Sequence, residues 1–338
     1  MVTADQLWRL PRPDAKENKL ARAALNDLQA AKLVQSEGRT SAEERAVMKL
    51  LVYGAGVTGS LFSARLYEAG HDVSLLARGE RLAALRRHGV QLAEADSPAV
   101  RRVPVPVVEH PADRYDLIAV FVRTHQVDAV LESLAGIEGD VLFMLNWAAG
   151  PEPLGGVIGH ERVLLGFPTT GGTMDGDVVR YRAASFLTRR FPMPIGEPDG
   201  RGTPRLERIV RVLRTAGINA KAEPRMDAWL KTHAAFEVPL GQAVVAAGGP
   251  VALADDPDAV RDMIRLMRQN LAALPTPPVP RGFVALQTLP EGLLVAVLRR
   301  FLRSPTAAYS GLDSASSATE AAELARMAEQ MRAYARIQ

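Results

Sequence analysis

Leu50-Leu51-Val52-Tyr53-Gly54-Ala55-Gly56-Val57-Thr58-Gly59 is the stretch that decides the fold. An apolar run of strand length meets three glycines spaced G-x-G-x-x-G, and a helical pattern continues from Val57 to Ala69. The glycine spacing alone carries little information. Between a strand and a helix, with a second strand beyond, it marks a unit that cradles a dinucleotide. Gly54 permits the tight turn, Gly56 lets the backbone approach a pyrophosphate, and Gly59 lets the helix pack close to the strand. The helix N-terminus then faces the phosphates. Ala55, Val57 and Thr58 complete the loop and are taken with the glycines as cofactor-binding.

Outward from this loop the pattern alternates. Strands are expected at Lys49–Tyr53, His71–Ala77, Asp116–Arg123, Val141–Asn146 and Val163–Phe167, with helices near Glu80–His88 and Gln126–Leu134 between them. Short apolar runs separated by helical segments indicate a parallel sheet covered on both faces. Val178–Ala183 and Phe191–Ile195 read as further strands, and Thr203–Arg214 with Ile218–Ala222 as a last helix and strand. Beyond Pro224 strand signals vanish, and the rest reads as helices broken by prolines, including Pro275-Thr276-Pro277-Pro278-Val279-Pro280. The reading is an α/β fold: a Rossmann-type, doubly wound parallel sheet over 48–224, followed by an all-helical domain over 225–338. Residues 1–47 are set apart as a helical extension, with a polar helix from about Asp14 to Gln35. It reads as a partner-binding or oligomerising helix, or as sequence upstream of the natural start.

Composition narrows the function classes. At 338 residues the chain is long enough for two domains with their own cores. There is no cysteine, so disulfides, thiolate metal sites and a cysteine nucleophile are excluded, and a cytoplasmic location is expected. The start lacks a signal-peptide layout, and no uninterrupted apolar run is long enough to span a bilayer. The net charge of +3 is mild and its arginines are scattered, so nucleic acid is not expected as a partner, nor is a membrane. The six histidines form no metal-ligand cluster; His233 and Glu237 share a helical face, a spacing more often structural than ligating.

The end of the second strand selects the dinucleotide. An acidic residue there accepts from the ribose 2′-hydroxyl, whereas this chain has Leu75-Leu76-Ala77-Arg78-Gly79. A guanidinium at that place matches a 2′-phosphate in charge and geometry, which points to NADPH, with Arg81 as a second candidate contact.

With those residues in view, the chain resembles the ketopantoate reductase (2-dehydropantoate 2-reductase) family, as a divergent member. Tyr53 to Ser60 and Leu76 to Leu82 carry the resemblance. Val122-Arg123-Thr124-His125-Gln126, Met144-Leu145-Asn146 and Ala228-Trp229-Leu230-Lys231 follow in the family's order. Arg123 stands where the family usually has Lys. The resemblance implies a Rossmann domain followed by a helical domain like that at the C-terminus of 6-phosphogluconate dehydrogenase. It also implies NADPH reducing a small carbonyl compound between the two.

On that resemblance Lys231 is the general acid that protonates the oxygen as hydride reaches carbon. Only six of the 41 basic residues are Lys, so a Lys here is informative, and Lys releases a proton that Arg cannot. Asp227, four residues earlier on the same helical face, offers the alternative of a plain salt bridge. The resemblance places Asn146 between cofactor and substrate and Glu320 near the reacting hydroxyl. Arg123 and Gln126 are read as contacts to cofactor ribose or a substrate carboxylate, although Gln126 also suits an exposed first helical turn. Where the family carries Asn four and eight residues after the catalytic Lys, this chain has Ala235 and Pro239. The pocket is therefore expected to be less polar, the helix kinked, and the substrate a carbonyl or imine other than ketopantoate. A homodimer is left open as an assembly, and a sensor that binds NADPH without turnover is the rival reading.

Overall fold

The computed structural model describes residues 47–95, 97–182, 192–304, 307 and 318–335. The helix expected at Asp14–Gln35 lies outside the described residues. The chain divides between Val47 and Met48, and Met48–Gln338 forms one unit.

The first strand, β1 (Lys49–Tyr53), is buried along its length from Leu50 on, which is why it reads as a continuous apolar run instead of an alternating one. Its side chains nevertheless divide by period two. Leu50 and Val52 join a core with Phe62, Ile209 and Leu213, whereas Leu51 and Tyr53 join another with Ile118, Leu131 and Leu230. The first core is built by α1 (Val57–Glu68) and the second by helices on the opposite face.

The chain then runs through β2 (Asp72–Leu76), α2 (Gly79–His88), β3 (Val90–Glu94), β4 (Arg101–Val103), β5 (Val107–Val108) and β6 (Arg114–Val120). It continues with α3 (Val127–Leu134), β7 (Glu138–Met144), α4 (Glu152–Ile158), β8 (Val163–Gly166), β9 (Gly172–Asp175) and β10 (Val178–Tyr181). The α/β part closes with β11 (Met193–Gly196), α5 (Pro204–Thr215) and β12 (Ala220–Ala222). Eight strands form one sheet in the order β12-β11-β8-β7-β6-β1-β2-β5. From β5 to β8 the neighbours are parallel, and the strand order reverses between β1 and β6. Ligands of doubly wound sheets sit outside the carboxyl ends of the strands at such a switch point. The ends concerned here are Tyr53 and Val120, which are paired in register.

The sheet departs from the sequence reading in two ways. β11 runs antiparallel to β8. The strand expected at Val178–Ala183 does not join the main sheet; as β10 it belongs to a four-stranded sheet of order β4-β3-β10-β9. Of that small sheet only β10 is anticipated from sequence, because Val90–Glu94, Arg101–Val103 and Gly172–Asp175 are short, and the last two are mostly polar.

After β12 the described chain is helical: α6 (Met226–Ala247), α7 (Pro250–Asp255), α8 (Pro257–Ala272), α9 (Val284–Thr288), α10 (Glu291–Leu302) and α11 (Ala318–Ala335). Leu240 and Val244 of α6 pack with Met263, Ile264, Leu294 and Leu298. Ala234, Ala235 and Val238 pack with Met327 and Met331 of α11 and with Ala148 beyond β7. That last cluster fastens the helices to the carboxyl end of the sheet. α6 runs through Pro239 without interruption.

Candidate active site

The glycine loop joins β1 to α1, and each glycine has its own physical reason. Gly54 has φ +109°, and a Cβ there would lie 2.3 Å from the Phe121 carbonyl oxygen. A Cβ at Gly59 would lie 1.9 Å from the Gly54 carbonyl oxygen, so α1 and the loop touch backbone to backbone. Gly56 differs: it is exposed, and a Cβ there would meet nothing within 4 Å. The two packed glycines build the cradle and the open one faces outward, an arrangement that fits a dinucleotide pyrophosphate over the N-terminus of α1.

Arg78, at the end of β2, is exposed, and its guanidinium is held by a hydrogen bond from Nη2 to the Tyr53 hydroxyl, 3.2 Å, which in turn meets Ser133 Oγ at 3.0 Å. Arg81, one helical turn further, points differently. Its Nε donates to the Ala55 carbonyl at 3.1 Å and Nη2 to Ser60 Oγ at 3.2 Å. Nη1 pairs with Asp177 in the β9–β10 turn.

Beyond β6 and β7 a buried polar network forms. Arg123 Nη1 binds Glu320 Oε2 at 2.7 Å and also Glu323. Thr124 Oγ1 donates to the Asn146 carbonyl at 2.6 Å, and Asn146 Nδ2 donates to Glu323 Oε1 at 3.3 Å. Glu323 is only 3% exposed, so its charge is compensated inside the protein by Arg123 and the Asn146 amide. The carboxylate fixes the Asn146 amide with its NH₂ inward, and Asn146 Oδ1 has no hydrogen-bond partner among the described residues. Burial raises the pKa of Glu320, an effect the Arg123 charge opposes. Gln126 is exposed, and its Oε1 accepts from the Arg123 backbone N–H at 3.0 Å, closing the turn that presents Arg123.

Lys231 lies one turn into α6, mostly buried, with Nζ 2.6 Å from Asp227 Oδ2. A Cβ at Gly150 would stand 3.8 Å from Lys231 Nζ, so the chain leaving β7 past Asn146 reaches the lysine. Trp147 Nε1, donating to the Gly150 carbonyl at 2.6 Å, shapes that segment, and Gln330 Oε1 accepts from Ala148 N at 2.9 Å. Ala235 and Pro239 are both buried on the continuing helix and supply no side-chain donor. His233 stacks against Trp229 and Phe167, and burial lowers its pKa to about 4, which keeps the ring neutral. Glu237 is raised to about 7, first by desolvation and then by the charges of Glu320 and Glu323. No group of residues suited to a metal ion occurs among the described residues.

Thus Asn146, Arg123 and Glu320 are brought into one network, and Lys231 is brought to the same post-β7 segment. Glu323 is absent from the sequence reading, and Glu237 enters it only as a residue sharing a helical face with His233. A Glu on a helix rich in Ala and Glu reads as solvent-facing, and only the apolar Leu324, Met327 and Met331 beside Glu323 signal that this face of α11 turns inward.

A Rossmann-type sheet with its glycine loop at the switch point, followed by helices that carry a lysine to the strand ends, defines an α/β chain of the dinucleotide-binding architecture. Residues 50–189 match the family model described as ketopantoate reductase PanE/ApbA. A 2-dehydropantoate 2-reductase of Archaeoglobus fulgidus is 30% identical over 178 residues, 52% of this chain and 56% of the relative. The chain spans only 56% to 63% of the length of the curated relatives it matches. Among solved structures, 2-dehydropantoate 2-reductase from Geobacter metallireducens aligns with a TM-score of 0.61 at 16% identity, over 85% of this chain and 98% of that one. D-mandelate dehydrogenase, in a ternary structure with NADH and anilino(oxo)acetate, aligns with a TM-score of 0.60 at 16% identity, over 85% and 99%. Among the described residues no helix is long and apolar enough to cross a membrane.

Proposed function

We propose that this chain is an NADPH-dependent reductase that delivers hydride to the carbonyl carbon, or imine carbon, of a small molecule other than ketopantoate. The observation that carries the reading is the placement of Lys231, Asn146 and the glycine loop around the carboxyl ends of β1, β6 and β7. NADPH supplies the hydride when bound. Gly54, Ala55, Gly56, Val57, Thr58 and Gly59 would cradle its pyrophosphate, and Arg78 would supply the charge that a 2′-phosphate needs. Lys231 Nζ gives its proton to the substrate oxygen as negative charge develops there, and Asp227 holds the ammonium in place at 2.6 Å. Asn146 presents Oδ1 as an acceptor to whatever lies between cofactor and substrate. Glu320 lines the same region through Arg123.

Substrate identity follows from what lines α6. Ala235 and Pro239 offer no hydrogen bond where the family has two amides, and a polar keto acid group left unpaired on binding loses about 1–3 kcal/mol. The likeness in fold to D-mandelate dehydrogenase supports a bulkier or more apolar carbonyl compound. The test is steady-state NADPH oxidation with ketopantoate beside a panel of 2-keto acids, ketones and cyclic imines. Turnover of a larger carbonyl or imine with little on ketopantoate is expected. A kcat/KM on ketopantoate of about 10⁴ M⁻¹s⁻¹ or more would refute the substrate reading. Tight NADPH binding without turnover of any compound would favour a sensor.

A further inference from the structure

We propose that Arg81 is a positioning residue for the cofactor, acting through the Ala55–Gly56 peptide and braced by the small second sheet. This deepens the NADPH reading and rests on it. Two hydrogen bonds converge on the Ala55 carbonyl: Arg81 Nε at 3.1 Å and Ser60 Oγ at 3.2 Å. In a planar trans peptide the carbonyl and the next N–H point in opposite directions. Holding the Ala55 oxygen toward Arg81 and the fully buried Ser60 therefore turns the Gly56 N–H away from them, toward the exposed mouth of the loop. That N–H is the donor a pyrophosphate oxygen needs at the start of α1.

Arg81 is itself held from the far side. Nη1 donates to the Asp177 carbonyl at 3.1 Å and to its carboxylate at 3.3 Å, and the Arg81 side chain is 21% exposed. The same hairpin touches the loop a second time, because a Cβ at Gly172 would lie 3.2 Å from Val57 Cγ1. The β9–β10 hairpin thus sits on the residues that begin α1. Nε, Nη1 and Nη2 each donate to the loop or the hairpin, with one Nη2 N–H left over, which makes Arg81 a clamp on the loop before it is the 2′-phosphate contact that its place near Arg78 invites.

The test uses the full chain and measures dissociation constants for NADPH, NADH and 2′-AMP, the last carrying a 2′-phosphate without a pyrophosphate. Arg81→Met is expected to weaken NADPH and NADH by the same factor, about 10- to 100-fold, the span of one lost hydrogen bond to a charged group. Binding of 2′-AMP should stay within about two-fold, since no contact to it is removed. Arg78→Met should show the opposite pattern, losing NADPH and 2′-AMP while keeping NADH. Arg81→Lys, which retains one donor, and Asp177→Asn, which weakens the brace, should give smaller losses of the same kind; they also serve if Arg81→Met fails to fold. Selective loss of NADPH and 2′-AMP in Arg81→Met would make Arg81 a phosphate ligand and overturn the proposal. Unchanged dinucleotide binding in all three variants would reduce it to a structural contact. If the wild-type chain binds neither dinucleotide, the cofactor reading itself fails, a result distinct from both.

Discussion

Gly56 and Gly59 lie three residues apart in one loop, and a single methyl group at each should separate binding from folding. At Gly59 two effects oppose. Ala is favoured over Gly inside a helix by about 1 kcal/mol. The added Cβ, however, would stand 1.9 Å from the Gly54 carbonyl oxygen, well inside the roughly 3.5 Å of an ordinary contact. Gly54 cannot retreat, because it is itself packed on the Phe121 carbonyl at φ +109°. Overpacking of this kind costs about 1–3 kcal/mol, and with backbone on both sides the upper end applies, so the clash wins by about 1–2 kcal/mol. For a chain of this size that lowers Tm by about 2–8 °C. At Gly56, φ is −72° and a Cβ meets nothing within 4 Å, so Gly56→Ala should change stability by less than about 1 kcal/mol. The methyl group would occupy the approach of the pyrophosphate, and NADPH affinity should fall at least about ten-fold, or 1.4 kcal/mol. Thermal denaturation and NADPH titration on the two variants provide the assay. Gly56→Ala binding NADPH as wild type does, or Gly59→Ala melting at the wild-type temperature, would refute the reasoning.

Three further outcomes are expected. Lys231→Met should leave NADPH affinity nearly intact and lower turnover at least about 100-fold, measured by steady-state kinetics on whichever panel compound is reduced; wild-type turnover would leave Lys231 as only Asp227's salt-bridge partner. Arg78→Asp should weaken NADPH by about 1–3 kcal/mol more than NADH, and equal losses would sink the 2′-phosphate assignment. Glu237, raised to about 7, keeps its proton in the folded state while the unfolded chain releases it near the usual carboxyl value. The folded state binds the extra proton, so this group's stabilisation is present at low pH and is lost as pH rises through about 7, by about 3 kcal/mol. Glu237→Gln should flatten the fall in Tm between pH 5 and pH 8, at roughly the scale of that linkage, and an unchanged slope would assign the pH dependence elsewhere.

The α/β core was legible because its strands are buried on both faces. Leu50 to Tyr53 and Val141 to Met144 are apolar without interruption, and strand-length runs of that kind between helices admit few other readings. The places of Arg78 and Asn146 just beyond strand ends were legible because β2 and β7 are apolar runs with clear limits. The small sheet was not, since β4 is Arg101-Arg102-Val103 and draws its stability from pairing with β3, a contact between segments whose own patterns are weak. Glu323 was hidden for another reason. Its burial depends on Arg123 lying 200 residues earlier in the chain, and nothing local to either residue announces the pair. Pro239 stands inside a helix that runs from Met226 to Ala247, held by the packing of Ala235, Val238 and Val244.

The dependence of Arg123, Thr124 and Asn146 on Glu323 also sets an order of events during synthesis. The sheet and glycine loop are complete once β12 has been made, whereas the acceptor that pins the Asn146 amide arrives only with α11. A nascent or carboxy-terminally trimmed chain can therefore possess the glycine loop while the Asn146 amide is still unset, with Arg123 lacking both of its carboxylates. The sheet is closed at Ala222, and the carboxylate that pins Asn146 follows only on the last described helix.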